Sequence, residues 1–113
     1  MAGTETSPGT GNGKLVRDGI PQIIRDEGAE PVTYIAGPEE YRARLREKLR
    51  EEVAELLDAD ERSAPAELAD VAEVLLALAA DLGLSPEQLE AIRVAKASER
   101  GSFVGRIVWM GNR

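Results

Sequence analysis

Four acidic side chains occur as two pairs spaced by one helical turn: Glu52 with Glu55, and Glu67 with Asp70. Both pairs lie in segments whose apolar residues repeat with the period of an amphipathic helix. Acidic residues are almost never fully buried unless they are paired or bound to a metal ion. The two pairs therefore predict a functional site on the inner faces of two neighbouring helices.

The helical period sets the direction of each acid. At about 100° per residue, Glu52 and Glu67 project inside the apolar stripes of their helices, and Glu55 and Asp70 fall at the borders. Converging carboxylates repel one another and cannot all stay ionised in a partly buried site without a cation. Hard oxygen donors suit Mg²⁺, or Mn²⁺ as its substitute, and protein-bound Mg²⁺ usually also binds substrate phosphates. The pattern thus favours metal-dependent phosphate chemistry.

A simpler interpretation is also open. Glu52 and Glu67 would then form ion pairs with Lys48, Arg50 or Arg93 inside a helix bundle. The spacing E-x-x-E is common in charged helices, so spacing alone does not choose between the two. Other acids, Glu73 among them, project to the polar sides and are expected to be ordinary solvated charges.

Composition narrows the chemistry. The 113 residues include 14 basic and 21 acidic ones, and the net charge of -7 disfavours binding to a nucleic acid polymer. The sequence has no Cys and no His, which excludes disulfides, the usual zinc sites, thiol nucleophiles and Ser-His-Asp catalysis. Acid–base catalysis would depend on carboxylates or on metal-bound water.

The chain is expected to form one domain. Residues 1–13 are rich in Gly, Thr and Ser and lack the apolar region of a signal peptide, so we expect a disordered tail before a single domain at 14–113. No apolar stretch approaches the roughly 20 residues of a membrane span, so no membrane partner is expected. The absence of cysteine fits the cytoplasm.

Breaking and capping residues divide the chain into elements. Pro21, Gly28, Pro38, Gly83 and the pair Ser85-Pro86 mark helix ends, and Ser63 is expected to cap the third helix. The predicted helices span about 22–27, 39–59, 64–82 and 85–99, and the predicted short strands span 31–35 and 103–110. The fold class is therefore mainly α, a helical bundle with one or two short β-strands.

The third helix has a wide apolar surface. Its apolar residues between Val71 and Leu82 cover more than half of its circumference. Three helices from so small a chain cannot easily cover that surface, so we expect the core to be completed in a homodimer or homotetramer. The alternative is a monomer whose strands and first helix cover it.

Four motifs in the same order resemble the all-α nucleoside triphosphate pyrophosphohydrolases, and more closely their small MazG-like, phosphoribosyl-ATP pyrophosphohydrolase-like branch. They are Lys14-Leu15-Val16-Arg17-Asp18 with Ile20-Pro21, Lys48-Leu49-x-Glu51-Glu52-Val53-x-Glu55-Leu56, Glu67-Leu68-Ala69-Asp70-Val71, and Glu99-Arg100-Gly101-x-Phe103. The resemblance extends from Lys14 to Val108. One departure is Gly19, where the family commonly has lysine.

The resemblance implies hydrolysis between the α and β phosphates of a nucleoside triphosphate, giving the monophosphate and pyrophosphate. It also implies Mg²⁺ held by the four acids of the two pairs and a metal-activated water, in a dimeric or tetrameric helical core. Glu51 or Glu55 would orient the water as a base, so the candidate catalytic residues are Glu51, Glu52 and Glu55. The candidate substrate-binding cations are Lys14, Arg17, Lys48, Lys96 and Arg100. Asp18 is expected to anchor Arg17 or a backbone turn.

Three functions remain open. The first is hydrolysis of nucleoside triphosphates, including non-standard ones. The second is the histidine-biosynthesis step on phosphoribosyl-ATP, and the third is a non-catalytic helical interaction module. The aromatic candidates for stacking on a base are Tyr34, Tyr41, Phe103 and Trp109, although such residues more often belong to a protein core.

Overall fold

The computed structural model describes residues 13–113, and these form four α-helices and no strand. The helices are α1 (Ile20–Asp26), α2 (Pro38–Asp58), α3 (Ala64–Asp81) and α4 (Pro86–Arg100). The predicted mainly α fold is confirmed. Apart from Gly13, the predicted tail lies outside the described residues.

Local chemistry explains most helix ends. At the start of α4, Ser85 Oγ accepts a hydrogen bond from the Gln88 amide and Gln88 Oε1 accepts one from the Ser85 amide, which is a complete capping box. After α3, Gly83 adopts φ 84°, the left-handed conformation that glycine adopts at low cost. The predicted cap at Ser63 is wrong, because its side chain bonds no amide of α3 and instead contacts Asp60.

Helices α2 and α3 form an antiparallel pair and carry the core. Arg42 Nε lies 2.8 Å from Asp81 Oδ2, so the start of α2 meets the end of α3. Among the described residues, the buried apolar side chains are Leu45, Val74 and Ala79. Helix α4 packs on α3. The antiparallel arrangement brings the second half of α2 beside the first half of α3, where the two acidic pairs lie.

The two predicted strands do not form. Residues 31–35 and 103–110 have no strand structure, and Val32, Ile35 and Phe103 are at least 94% exposed. A strand is stable only when its backbone groups pair with another strand and its apolar face packs on something. Alternating apolar residues are present here, but neither segment has a pairing partner in the described chain.

The hydrophobic core of the single chain is small. Three leucines of α3 and the leucine that directly follows it remain substantially exposed: Leu68 (56%), Leu75 (44%), Leu76 (38%) and Leu82 (73%). Large exposed apolar patches are uncommon on monomeric proteins. The wide apolar surface predicted for this helix is therefore present, and the described chain does not cover it.

None of the helices in residues 13–113 is both long enough and apolar enough to cross a membrane.

Candidate active site

Helices α2 and α3 bring three of the four predicted acids together. Three carboxylate oxygens, one from each of Glu52, Glu67 and Asp70, lie within 4.8 Å of one another. Glu52 is buried, with 7% of its surface exposed, and the other two are half-buried. A second group with the same spacing contains Glu51, Glu52 and Glu55, so Glu52 belongs to both groups. The one-turn spacing within each helix and the antiparallel packing produce this convergence.

Glu67 shows that the cluster carries excess negative charge. Its Oε1 atom is buried and has no hydrogen-bond partner among the described residues. Burial, together with the neighbouring carboxylates of Glu55, Asp70 and Glu52, raises the pKa of Glu67 above its ordinary value. An unsatisfied carboxylate oxygen beside other acids suits a hard divalent cation such as Mg²⁺ or Mn²⁺.

Lysine and arginine side chains already neutralise part of the cluster. Lys48 Nζ lies 3.3 Å from Glu52 Oε2 and 3.0 Å from Glu51 Oε1, and Arg17 Nη2 lies 2.8 Å from Asp70 Oδ1. Hydrogen bonding from Lys48 lowers the pKa of the Glu51 carboxyl. Cationic side chains from α2 and from the segment before α1 therefore lie directly beside the acids of the cluster.

The ion-pair interpretation holds for one acid and fails for the other. The predicted pair between Glu52 and Lys48 forms. Arg93 instead pairs with Glu90 within α4, at 2.6 Å, and no cation of the described residues pairs with Glu67. Ion pairing thus accounts for Glu52 but leaves Glu67 uncompensated, so the two interpretations describe different parts of one site.

A cavity of about 670 Å³ adjoins the cluster, between the segment that precedes α1 and the pair α2 and α3. This volume is typical of small-molecule sites. The lining residues are Lys14, Leu15, Val16, Arg17, Asp18, Ile20, Tyr41, Leu45, Lys48, Glu52, Asp70, Glu73, Val74 and Ala77. Four of the predicted substrate-binding residues, Lys14, Arg17, Asp18 and Lys48, are therefore at one cavity. Arg17 pairs with Asp70 rather than with its neighbour Asp18.

The structure does not bring Lys96 and Arg100 to this cavity. Arg100 lies at the end of α4, where its Nε is 3.7 Å from Glu99 Oε1 and both side chains are exposed. Lys96 is exposed and does not line the cavity. Their assignment to substrate binding stays a prediction.

Of the four aromatic candidates, Tyr41 lines the cavity. Tyr34 donates a hydrogen bond to Glu40, and Phe103 and Trp109 are 96% and 77% exposed. At Gly19, no atom lies within 4 Å of the position that a Cβ would take. Steric crowding therefore does not account for the glycine at this position.

Sequence reasoning missed two residues of this region. Arg44 is 8% exposed; its Nη1 donates to the Gly13 carbonyl at 2.7 Å and its Nε lies 3.1 Å from Glu40 Oε2. It fixes the start of the segment that covers the cavity, and its i,i+4 spacing from Glu40 was an available signal. Glu73 is exposed, as expected of a solvated charge, and it also lines the cavity three residues after Asp70.

Comparisons with known proteins fit this geometry. A family model described as phosphoribosyl-ATP pyrophosphohydrolase matches residues 20–97, which include both acidic pairs. An uncharacterized protein of Mycolicibacterium smegmatis is 52% identical over 54 residues, which are 48% of this chain and 55% of that protein. The match thus spans about half the length of that relative. No solved structure matches. The chain belongs to the phosphoribosyl-ATP pyrophosphohydrolase family, part of the all-α nucleoside triphosphate pyrophosphohydrolase superfamily.

Proposed function

We propose that this protein hydrolyses nucleoside triphosphates, including non-standard ones, to the monophosphate and pyrophosphate in a Mg²⁺-dependent reaction. Family membership implies a pyrophosphohydrolase. The observation that carries the proposal is the convergence of Glu52, Glu67 and Asp70 within 4.8 Å, beside a cavity that three cationic side chains line.

In this proposal Glu52, Glu67 and Asp70 hold the metal ion, and Glu55 lies beside them in a separate group with Glu51 and Glu52. The bound ion supplies charge that polarises the phosphoryl oxygens and lowers the pKa of a coordinated water. The buried, unpartnered Oε1 of Glu67 is the donor atom with most to gain, because ligation would satisfy it.

Two acids were candidates for the base that orients the water. Glu51 is engaged by Lys48 and by Lys14, whose Nζ lies 3.5 Å from Glu51 Oε2, and its pKa is lowered. A carboxylate with a lowered pKa is a weaker base. Glu55 is exposed and makes no ion pair among the described residues. We therefore assign the role of base to Glu55. The role of Glu51 is to position the side chains of Lys48 and Lys14.

The cations have a second partner available in a substrate complex. Lys14, Arg17 and Lys48 line the cavity while paired with acids of the cluster. Phosphate oxygens compete for the same ammonium and guanidinium groups. A polyphosphate bound here would be neutralised as charge develops on the departing pyrophosphate.

Phosphoribosyl-ATP is the second candidate substrate, and the description of the matching family favours it. It carries the same triphosphate bond but an extra phosphoribosyl group on the base. The two substrates would use one metal site and differ at the far end of the cavity.

The test is a product assay on the full chain with and without Mg²⁺. Nucleoside triphosphates, damaged nucleotides and phosphoribosyl-ATP are incubated separately, and products are identified by phosphorus NMR. Monophosphate with pyrophosphate supports the proposal, and higher turnover of phosphoribosyl-ATP supports the second candidate. Diphosphate with orthophosphate, or no turnover of any substrate with Mg²⁺ or Mn²⁺, overturns both and leaves the interaction module.

We also propose that the enzyme works as a homodimer or homotetramer. The exposed leucines of α3 support this, because a single described chain leaves them in water.

A further inference from the structure

The side chains that line the cavity change from charged to apolar along its length. On α2, Glu52, Lys48, Leu45 and Tyr41 all line it, and a rise of 1.5 Å per residue places Tyr41 about 16 Å along the axis from Glu52. Since α3 runs antiparallel, Ala77 lies about 10 Å beyond Asp70 in the same direction. One end is therefore charged and the other is largely apolar, as binding of phosphates at one end and of a base at the other requires.

The apolar end has few groups that can read the edge of a base. The described lining contains no Asn, Gln, Ser or Thr side chain. Its side-chain acceptors outside the metal cluster are the Tyr41 hydroxyl and the carboxylates of Asp18 and Glu73. Glu52 and Asp70 are already paired with Lys48 and Arg17.

Glu73 has a carboxylate that is free for a ligand. Its side chain is exposed and makes no hydrogen bond or ion pair with any residue of the described chain, although it lines the cavity. It lies on helix α3 between the two ends of the cavity, one turn after Asp70 and one turn before Ala77. Asp18, in contrast, follows the phosphate-binding candidate Arg17 in the segment before α1.

We propose that Glu73 is a specificity-determining residue that selects bases with two adjacent N–H donors, as guanine presents at N1 and at its 2-amino group. This inference rests on the proposed function. An ionised carboxylate only accepts hydrogen bonds, and two parallel N–H donors match its two oxygens. Uracil and thymine flank their single N–H with carbonyl oxygens, which a carboxylate repels.

The sharpest test compares GTP with ITP, which differ only in the 2-amino group. We expect the wild-type protein to prefer GTP in kcat/KM by about tenfold, the effect of one charge-assisted hydrogen bond at a partly solvated site. Glu73→Ala removes the acceptor while keeping a good helix former, and should bring the ratio near one. The control Glu61→Ala, an acid in the connection between α2 and α3, should keep the wild-type ratio.

Two further measurements distinguish a failure of this inference from a failure of the proposed function. Asp18→Asn should leave the GTP to ITP ratio unchanged; if it collapses that ratio while Glu73→Ala does not, the assignment to Glu73 is overturned. Equilibrium binding of GMP and IMP reads the same selectivity without turnover. Tighter GMP binding that Glu73→Ala abolishes supports the inference even if no triphosphate is hydrolysed. Equal binding of GMP and IMP by the wild-type protein, with equal turnover of GTP and ITP, refutes it.

Discussion

Arg17 Nη2 donates a hydrogen bond to Asp70 Oδ1 at 2.8 Å and so joins the segment before α1 to the acidic cluster on α3. Both side chains are substantially exposed, at 56% and 40%. Ion pairs of this kind contribute about 1 kcal/mol or less to the free energy of unfolding. The importance of the pair is therefore positional, because it places a guanidinium beside a candidate metal ligand.

Arg17→Ala should lower kcat/KM for triphosphates by about tenfold or more while changing the free energy of unfolding by less than about 1 kcal/mol. The reason is that the guanidinium is available to phosphate oxygens but contributes little to folding. Steady-state pyrophosphate release and urea unfolding measure the two quantities. Arg25→Ala is a matched control. Arg25 Nε lies 3.7 Å from Glu30 Oε2, and neither residue lines the cavity. Equal activity of the two variants would remove Arg17 from the site.

Glu52→Gln and Asp70→Asn should each lower pyrophosphate release by at least about 100-fold, since even the outer partners of metal ligands cost 10- to 100-fold when mutated. Helicity by circular dichroism should be unchanged. In the wild-type protein, Mg²⁺ at 100 times its Kd should add about 2.7 kcal/mol of stability, and both variants should lose this gain. Glu90→Gln, which alters only a pair with Arg93 on α4, should behave like the wild type. Full activity in either cluster variant would contradict the assignment.

The pKa of Glu67 predicts how stability depends on pH when EDTA removes divalent ions. Because the folded-state pKa is raised above its ordinary value of 4.5, the folded protein binds this proton more tightly than the unfolded chain. The stability that protonated Glu67 contributes is present below pH 4.5 and is lost as the pH rises through its raised folded-state pKa. Glu67→Gln should therefore have a higher Tm than the wild type at pH 7, and the difference should shrink towards pH 4.5.

Glu51 provides a control, because its pKa is shifted in the opposite direction to that of Glu67. Its folded-state pKa is lowered from 4.5, chiefly by the hydrogen bond from Lys48. The stability that the ionised Glu51 carboxylate contributes is present above pH 4.5 and is lost as the pH falls through its lowered folded-state pKa. Glu51→Gln should therefore lower the Tm at pH 7 and have no effect in strong acid. If both variants shift the Tm in the same direction at pH 7, the charge distribution described for the cluster is wrong.

The sequence predicted the helices well because their signals are local. Pro86, Gly83 and the period of the apolar residues act within a few positions, so the bounds of α3 and α4 were predicted to within a few residues. The inward direction of Glu52 followed from the same period, and its burial confirms it. The strands at 31–35 and 103–110 failed because a strand depends on a distant partner that alternation does not reveal.

The candidate site was only partly predictable for the same reason. The i,i+3 spacing identified Glu67 and Asp70 but could not show that Asp70 pairs with Arg17, 53 positions away in the chain, while Glu67 has no cationic partner among the described residues. Glu73 is exposed, as the helical wheel predicted, but a wheel shows direction around one axis and could not reveal a cavity bounded by three segments. Contacts between elements therefore had to come from the structure.

Leu75→Asp should convert the proposed oligomer to a monomer. Leu75 is 44% exposed in the single chain, so a charge there costs little in the folded monomer. In a subunit interface the same charge would be buried without a partner, which is strongly unfavourable. Sedimentation velocity across micromolar concentrations should show a dimer or tetramer for the wild type and a folded monomer for the variant, with helicity retained. A wild-type protein that sediments as a stable monomer throughout that range would show that the leucines of α3 do not form a subunit interface.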